Sequence, residues 1–175
     1  MRSLTASAVV TPGEALNPPE EPRFVRDMEK YVMIPAYARR AHKRLREKLL
    51  SLAALSESPR FVREDPGAGD LGIITSGISY MHVREAAPEA SVLKLGFTHP
   101  LPLKKIEAFA KSVQRCIVVE EGDPYLAENI RAAGIPVESK AEMYRFGELD
   151  VSRVKRILNY DLTPEPTKPP GKPPQ

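Results

Sequence analysis

Apolar residues in the central part of the chain fall into short runs separated by helical segments. Residues 71–77 (LGIITSG), 91–96 (SVLKLG) and 115–121 (RCIVVEE) are each apolar enough for a strand that is covered on both faces. Residues 135–139 (IPVES) are a fourth candidate strand. Strands that alternate with helices are typical of βαβ units. The pattern therefore predicts an α/β domain with a three-layer, mostly parallel sheet over residues 70–160.

The segments between and after these runs carry the signals of crossover helices. Asp123 and Asp150 stand where an N-cap residue is expected, and Gly134 is a suitable C′ residue. Apolar residues at helical spacing predict helices over residues 79–87, 103–113, 123–133 and 151–158.

A longer helix is predicted over residues 36–56, where strong helix formers follow Pro35. Its apolar residues recur at spacings of four and three, which predicts one buried stripe formed by Leu45, Leu49, Leu52 and Leu55. The remaining surface is basic. It is interpreted either as a solvated helix face or as a docking face for an acidic partner domain or an anionic cofactor tail, with candidate interface residues Arg39, Arg40 and Arg44.

The two ends of the chain differ in composition from its centre. Residues 1–22 mix small residues with prolines and are predicted to be an arm or linker, followed by a helical extension over residues 23–69. Residues 161–175 are rich in proline and poor in apolar side chains, so we expect this tail to be disordered or extended.

Composition and charge limit the function classes. The one cysteine, Cys116, lies in an apolar run and is predicted to be a buried, inert thiol; one thiol cannot supply the four ligands of an iron–sulfur cluster. No apolar run approaches the roughly 20 residues that span a bilayer, and no signal peptide is recognisable, so we expect a cytoplasmic protein without membrane contact. The net charge of +3 is modest, so it does not favour nucleic-acid binding, which we rank below the other functions considered.

Four separated strings together resemble the alpha subunit of indolepyruvate:ferredoxin oxidoreductase, within the 2-oxoacid:ferredoxin oxidoreductase family. They are KYVMIPAYARRAH (30–42), GIITSGISYMHVREAAPEASVLKLGFTHPLP (72–102), VVEEGDPYLAENIRAAGIPV (118–137) and GELDVSRVKRIL (147–158). The resemblance covers roughly three quarters of the chain. It implies the transketolase C-terminal-like, Rossmann-like domain that lies inside such subunits, between the domains that bind the cofactor.

The resemblance also implies a function. The family binds thiamine diphosphate with Mg, holds [4Fe-4S] clusters, oxidatively decarboxylates an aryl-2-oxoacid, passes electrons to ferredoxin and releases an aryl-acetyl-CoA. This chain lacks a cysteine-rich module and a GDG-then-NN thiamine motif. We therefore expect a fragment or split subunit that binds no cofactor and has no catalytic residues of its own. It would be a structural module between domains, with the remaining domains or subunits as partners and ferredoxin reached through them.

One candidate ligand site leads to an alternative function. Thr75, Ser76 and Gly77 follow a predicted strand and precede a helix, where backbone amides can bind a phosphate or carboxylate. An ordinary strand-to-helix turn has the same sequence pattern. If the turn binds a ligand, the chain is instead a free-standing small-molecule or nucleotide-binding module.

Three further residues are candidates for an interface with a neighbouring domain. His99 lies in the loop FTHPLP and is interpreted as a loop histidine, since no nucleophile with a partner carboxylate is recognisable near it. Glu120 and Glu121 precede a helix, where carboxylates either cap the helix or pair with a basic surface. The three histidines lack the clustered spacing of a metal site, so no metal is predicted.

Overall fold

The computed structural model describes residues 13–14, 21 and 23–164. Most of the predicted N-terminal arm and most of the predicted C-terminal tail lie outside the described residues. The chain divides into two units, residues 1–51 and residues 52–175. Among the described residues, no helix is both long and apolar enough to cross a membrane.

The first unit contains a short helix and most of a long one. Helix α1 (Met28–Tyr31) is capped by the Asp27 carboxylate, which accepts a hydrogen bond of 3.0 Å from the amide of Lys30. Helix α2 (Pro35–Ser56) begins at the proline, close to its predicted start. Its described side chains are exposed or half-buried except for the last one, Ser56.

The prediction that the leucines of α2 form a buried stripe is wrong. Leu45 and Leu55 are 51% and 45% exposed, and Leu49 and Leu52 are half-buried. Helical spacing identifies an apolar face because the side chains recur on one side. It does not identify what covers that face, so periodicity alone overstated the burial.

The second unit is built around a five-stranded sheet in the order β1-β3-β2-β4-β5. Strand β1 pairs antiparallel with β3, and all other pairs are parallel, so the predicted α/β class with a mostly parallel sheet is confirmed. The strands are β1 (Val62–Asp65), β2 (Leu71–Ser76), β3 (Ser91–Leu95), β4 (Arg115–Val119) and β5 (Glu138–Ser139). The helices are α3 (Ser79–Ala86), α4 (Leu103–Ser112), α5 (Tyr125–Ala132) and α6 (Val151–Leu158), with a short 3-10 helix over Glu142–Arg145.

Each face of the sheet carries its own apolar cluster. The register pairs Ile73 with Val92 and Ile117, so one face gathers side chains that pack against α3 and α6. The other face carries the alternate residues and packs against α4 and α5, chiefly through Ile74, Leu93, Val118, Ile106, Phe109, Leu126 and Ile130. Because helices cover both faces, the strands are apolar throughout, as the sequence indicated.

Strand β1 is a strand that the sequence analysis did not predict. Of its residues VRED, only Val62 is buried, and Arg63 forms an ion pair of 2.8 Å with Asp65. Val62 pairs with Leu95 at the edge of the sheet. An edge strand exposes most of its side chains, so it lacks the apolar run that revealed the central strands.

Candidate functional site

Strands β2, β3 and β4 end at the edge of the sheet where the sequence predicted a site. Because the three strands are parallel, the loops that follow them converge at this carboxyl edge. A cleft of 290 Å³ opens between these loops and the start of α5. Its lining residues are Ser76, Gly77, Ile78, Ser79, Thr98, Glu120, Glu121, Tyr125 and Leu126.

The three residues of the predicted anion-binding turn are not all in the cleft. Ser76 and Gly77 line it, whereas Thr75 alternates with Ser76 along β2 and lies on the opposite face of the sheet. Thr75 is fully buried, and its Oγ1 has no hydrogen-bond partner among the described residues. Gly77 has a φ of +57°, a conformation that favours glycine. Anion binding by this turn stays a prediction.

Glu120 caps helix α5 from outside the helix. Its Oε2 accepts a hydrogen bond of 2.8 Å from the amide of Leu126, and its Oε1 accepts one of 3.0 Å from the amide of Ala127. The residue predicted as the N-cap, Asp123, makes no side-chain capping bond, and Pro124 occupies the cap position. The capping prediction for Asp123 is therefore wrong. The buried carboxylate of Glu120 satisfies the helix amides instead.

Lys140 is buried beside Glu120 and was not singled out from the sequence. Its Nζ donates a hydrogen bond to the backbone carbonyl of Glu120. Desolvation raises the pKa of the Glu120 carboxyl, while the two amide donors and Lys140 oppose the rise. Desolvation likewise lowers the pKa of Lys140, and Glu120 opposes that change. The two side chains tie the end of β4 to the segment after β5, a pairing that no local sequence signal reveals.

Two carboxylates line the cleft, and Lys140 lies beside one of them, Glu120, and offsets part of its charge. The other is Glu121, and no lysine or arginine lines the cleft among the described residues. A phosphate would meet like charge here, while the hydroxyl groups of Ser76, Ser79 and Thr98 can bind an uncharged polar group. Of the two predicted acidic interface residues, only Glu121 is exposed.

His99 lies at the rim of the same edge and is exposed. Its Nδ1 is 3.4 Å from the hydroxyl of Tyr125, a long contact for a hydrogen bond. Among the residues that the structure describes, no group of three or more His, Cys, Asp or Glu side chains could hold a metal ion. An interface role for His99 stays a prediction.

The three arginines predicted as interface residues are exposed on α2. Arg40 forms an ion pair of 3.1 Å with Glu29 and lies 5.4 Å from the ring centroid of Tyr37. Arg39 and Arg44 are also exposed. Residues 35–51 contain six lysines and arginines and a single acidic residue, so this part of the helix is strongly basic.

An exposed apolar segment precedes this helix and was not recognised in the sequence analysis. We define the apolar segment as residues 24–34, and its most exposed residue, Phe24, is 94% exposed. Six further large apolar side chains in it are exposed: Val25, Met28, Tyr31, Val32, Met33 and Ile34. The signal was the density of large apolar residues, which make up seven of the eleven positions from 24 to 34. Contiguous exposed apolar surface indicates an interaction site.

The fold is shared with a class of oxidoreductases. The chain superposes on part of the structure titled "2-oxoglutarate:ferredoxin oxidoreductase from Magnetococcus marinus with 2-oxoglutarate, coenzyme A and succinyl-CoA bound". The TM-score is 0.56 at 20% identity, over 73% of this chain and 24% of the other. At this identity the likeness establishes the fold. No protein-family model matches the chain.

Sequence relatives identify the family more narrowly. The indolepyruvate oxidoreductase subunit of Methanothermobacter thermautotrophicus is 33% identical over 148 residues, which cover 81% of this chain and 24% of the relative. The corresponding subunit of Archaeoglobus fulgidus is 39% identical over 123 residues, covering 68% and 19%. That of Pyrococcus abyssi is 35% identical over 125 residues, covering 66% and 19%.

The chain thus matches one part of the indolepyruvate oxidoreductase subunit, and the resemblance stated from the sequence is confirmed. It spans between about a fifth and a quarter of the length of these curated relatives. The match with the Methanothermobacter subunit is too long to lie within residues 52–175 alone, so it includes part of the first unit.

Proposed function

We propose that the chain is a structural module of a thiamine-diphosphate-dependent indolepyruvate:ferredoxin oxidoreductase, which docks onto the remaining domains or subunits of that enzyme. The observation that carries this proposal is the apolar segment, whose seven large side chains are exposed. The relatives extend over at least four times the matched length, so they contain the additional chain onto which the segment would pack.

The basic surface of α2 would orient the chain in the same docked complex. Burying the apolar segment supplies a favourable free energy of association that has no preferred orientation. The exposed Arg39, Arg40 and Arg44 add orientation, because charge pairs across an interface select an acidic partner surface. On this proposal, the predicted interface role of these arginines is to fix how the module sits on its partner.

The residues of this chain do not fit the cofactors of the family. Cys116 is the only cysteine of the sequence, and a cluster needs four thiolates. The carboxyl-edge cleft is lined by Glu120 and Glu121, which oppose a diphosphate. We therefore assign thiamine diphosphate, Mg and the clusters to the partner domains, and oxidation of an aryl-2-oxoacid with electron transfer to ferredoxin to the assembled enzyme.

Size-exclusion chromatography tests the docking. The chain is mixed with the polypeptides of the same organism that carry the thiamine-diphosphate and iron–sulfur domains. We expect a complex that elutes ahead of either component. The triple variant Val25→Ser, Tyr31→Ser, Ile34→Ser should abolish it. A matched triple variant in exposed apolar residues of the second unit, Met81→Ser, Phe146→Ser, Leu162→Ser, should leave it intact.

Two results would contradict the proposal. One is the absence of any complex between the unaltered chain and these polypeptides. The other is an equal loss of complex in both triple variants, since the docking would then not depend on the apolar segment.

A second candidate function is small-molecule binding at the carboxyl-edge cleft. Three hydroxyl groups, from Ser76, Ser79 and Thr98, line the cleft together with Gly77, beside which there is open space. The Magnetococcus structure has coenzyme A and succinyl-CoA bound. Calorimetric titration of the chain with coenzyme A and with nucleotides tests this function. The two carboxylates of the cleft lead us to expect no saturable heat at millimolar ligand, and a saturable heat lost in Ser76→Val would favour the second function.

A further inference from the structure

A cavity lies at the opposite edge of the sheet from the predicted site. Arg115 begins β4 and Glu138 begins β5, so the cavity is at the amino ends of these parallel strands. Its volume is 740 Å³, within the range of ligand pockets. Residues Ala110 and Gln114 form the wall on the α4 side.

One wall of the cavity is a fixed guanidinium group. The Nε of Arg115 donates to Oε2 of Glu138 at 2.9 Å, and its Nη1 donates to the carbonyl of Leu158 at 2.9 Å. The guanidinium carbon lies 4.2 Å from the ring centroid of Tyr160, whose hydroxyl donates to the same Glu138 oxygen at 2.6 Å. Arg115 is therefore held in place, and its charge is balanced by Glu138.

A second guanidinium group in the wall has no balancing carboxylate. The Nε of Arg131 donates to the carbonyl of Val137 at 2.8 Å, which fixes the plane of the group. No hydrogen bond of its two Nη nitrogens is present among the described residues, and Arg131 is exposed. Two arginines and one glutamate thus line the cavity, which leaves a net positive charge on Arg131.

The rest of the lining is largely apolar. Ala110, Cys116, Pro136 and Val137 contribute to it. A smaller cavity of 130 Å³ shares Ala110 and Pro136, and Gly134, Ile135 and the ion pair of Lys111 with Glu107 also line it. The two cavities adjoin at Ala110 and Pro136, and we call them together the groove, with Arg131 at one end and an apolar surface at its centre.

We propose that this amino-edge cavity binds a small organic anion, in which a carboxylate or phosphate is attached to an apolar body. The two Nη nitrogens of Arg131 can donate two parallel hydrogen bonds to the oxygens of the anionic group. The apolar body lies on Ala110, Pro136 and Val137. The carboxyl-edge cleft lacks the cationic feature, because glutamates line it and no arginine does among the described residues.

Phenyl phosphate and benzoate are suitable probes, because each joins an anion to an apolar ring. The full chain is titrated with each, and binding is followed by the amide resonances of Ala110 and Val137. Benzyl alcohol, which keeps the ring without charge, and inorganic phosphate, which keeps the charge without a ring, are the controls. We expect at least one probe to bind saturably and at least tenfold more tightly than both controls.

Two variants test the residues. Arg131→Gln should weaken the binding of the tighter-binding probe at least tenfold, because it removes the guanidinium group. Ala110→Phe should block binding by filling the groove without a change of charge. Lys155 is exposed on α6 outside the cavity, so Lys155→Gln should leave the binding of the probe unchanged. An unchanged melting temperature in each variant shows that the fold is retained.

Three outcomes would overturn the proposal. The first is that neither probe shifts the amides of the cavity saturably. The second is that benzyl alcohol or inorganic phosphate binds as tightly as both probes. The third is that a folded Arg131→Gln variant binds as the unaltered chain does. A preference for phenyl phosphate or for benzoate identifies which anion the groove selects.

Discussion

The two units of the chain place their large apolar side chains in opposite environments. In the second unit, Ile74, Leu93 and Phe109 lie inside one of the two apolar clusters that cover the faces of a sheet. In the first unit, the apolar segment of residues 24–34 is exposed, as are the basic residues of α2. Burial of apolar area is the dominant favourable term in folding. The second unit therefore has the buried apolar area that folding requires, whereas the first carries exposed apolar side chains, which we propose a partner covers.

Because of this difference, we expect the stability of the chain and its association with partners to depend on different side chains. Side chains that are buried in the second unit should control the free energy of unfolding, and those exposed in the first unit should control the affinity for partners. A substitution that affected both properties equally would break the distinction.

The largest contrast is expected from one pair of substitutions. Phe109→Ala should lower the free energy of unfolding by about 3–5 kcal/mol, because Phe109 is 2% exposed and its removal leaves a cavity. Phe24→Ala, at a residue that is 94% exposed, should change it by less than about 0.5 kcal/mol. Urea unfolding followed by circular dichroism measures both. Equal losses in the two variants would mean that Phe24 is part of the folding core.

A pH titration tests whether the Cys116 thiol is shielded from water in the folded second unit. Burial raises the pKa of the Cys116 thiol to about 12 from 9.0, with Glu138 adding to the rise. Above pH 9 the unfolded chain loses this proton while the folded chain keeps it, so stability falls as the pH rises towards 12. Between pH 8 and pH 10.5 the unaltered chain should lose about 2 kcal/mol more than Cys116→Ala. Parallel pH profiles for the two proteins would rule out a buried thiol.

The smallest contrast compares two helix caps. The Asp150 carboxylate accepts a hydrogen bond of 2.8 Å from the amide of Arg153 and caps α6 in the second unit. Asp150→Ala should cost about 1 kcal/mol of unfolding free energy. Asp27 caps the short α1 with the same geometry, yet Asp27→Ala should leave the cooperative transition unchanged. A matching loss in both variants, read from thermal melts, would show that α1 unfolds together with the sheet.

Much of the fold could be predicted because local patterns determine it. The central strands are continuous apolar runs around Ile73, Val92 and Ile117, and covering both faces of a parallel sheet requires such runs. The cap at Asp150 was predicted and observed, since it acts within its own turn. Strand β1 was missed, because an edge strand with one buried residue has no such run.

The candidate sites depend on contacts that sequence spacing does not encode. Glu120 caps α5 in place of Asp123 because the loop folds back, which brings a residue from the end of β4 onto the helix amides. Arg115 and Arg131 meet at one cavity only after β4 and α5 pack together. The apolar segment was visible in the sequence, but whether it is covered depends on tertiary structure.

Hydrogen exchange of the amides of residues 24–34 tests the docking proposal most directly. Exchange is measured in the chain alone and after addition of the polypeptides that carry the thiamine-diphosphate and iron–sulfur domains. The account predicts that these amides exchange rapidly in the free chain and at least about tenfold more slowly in the complex, because the apolar segment becomes buried. A complex that forms while exchange in this segment stays unchanged would contradict it.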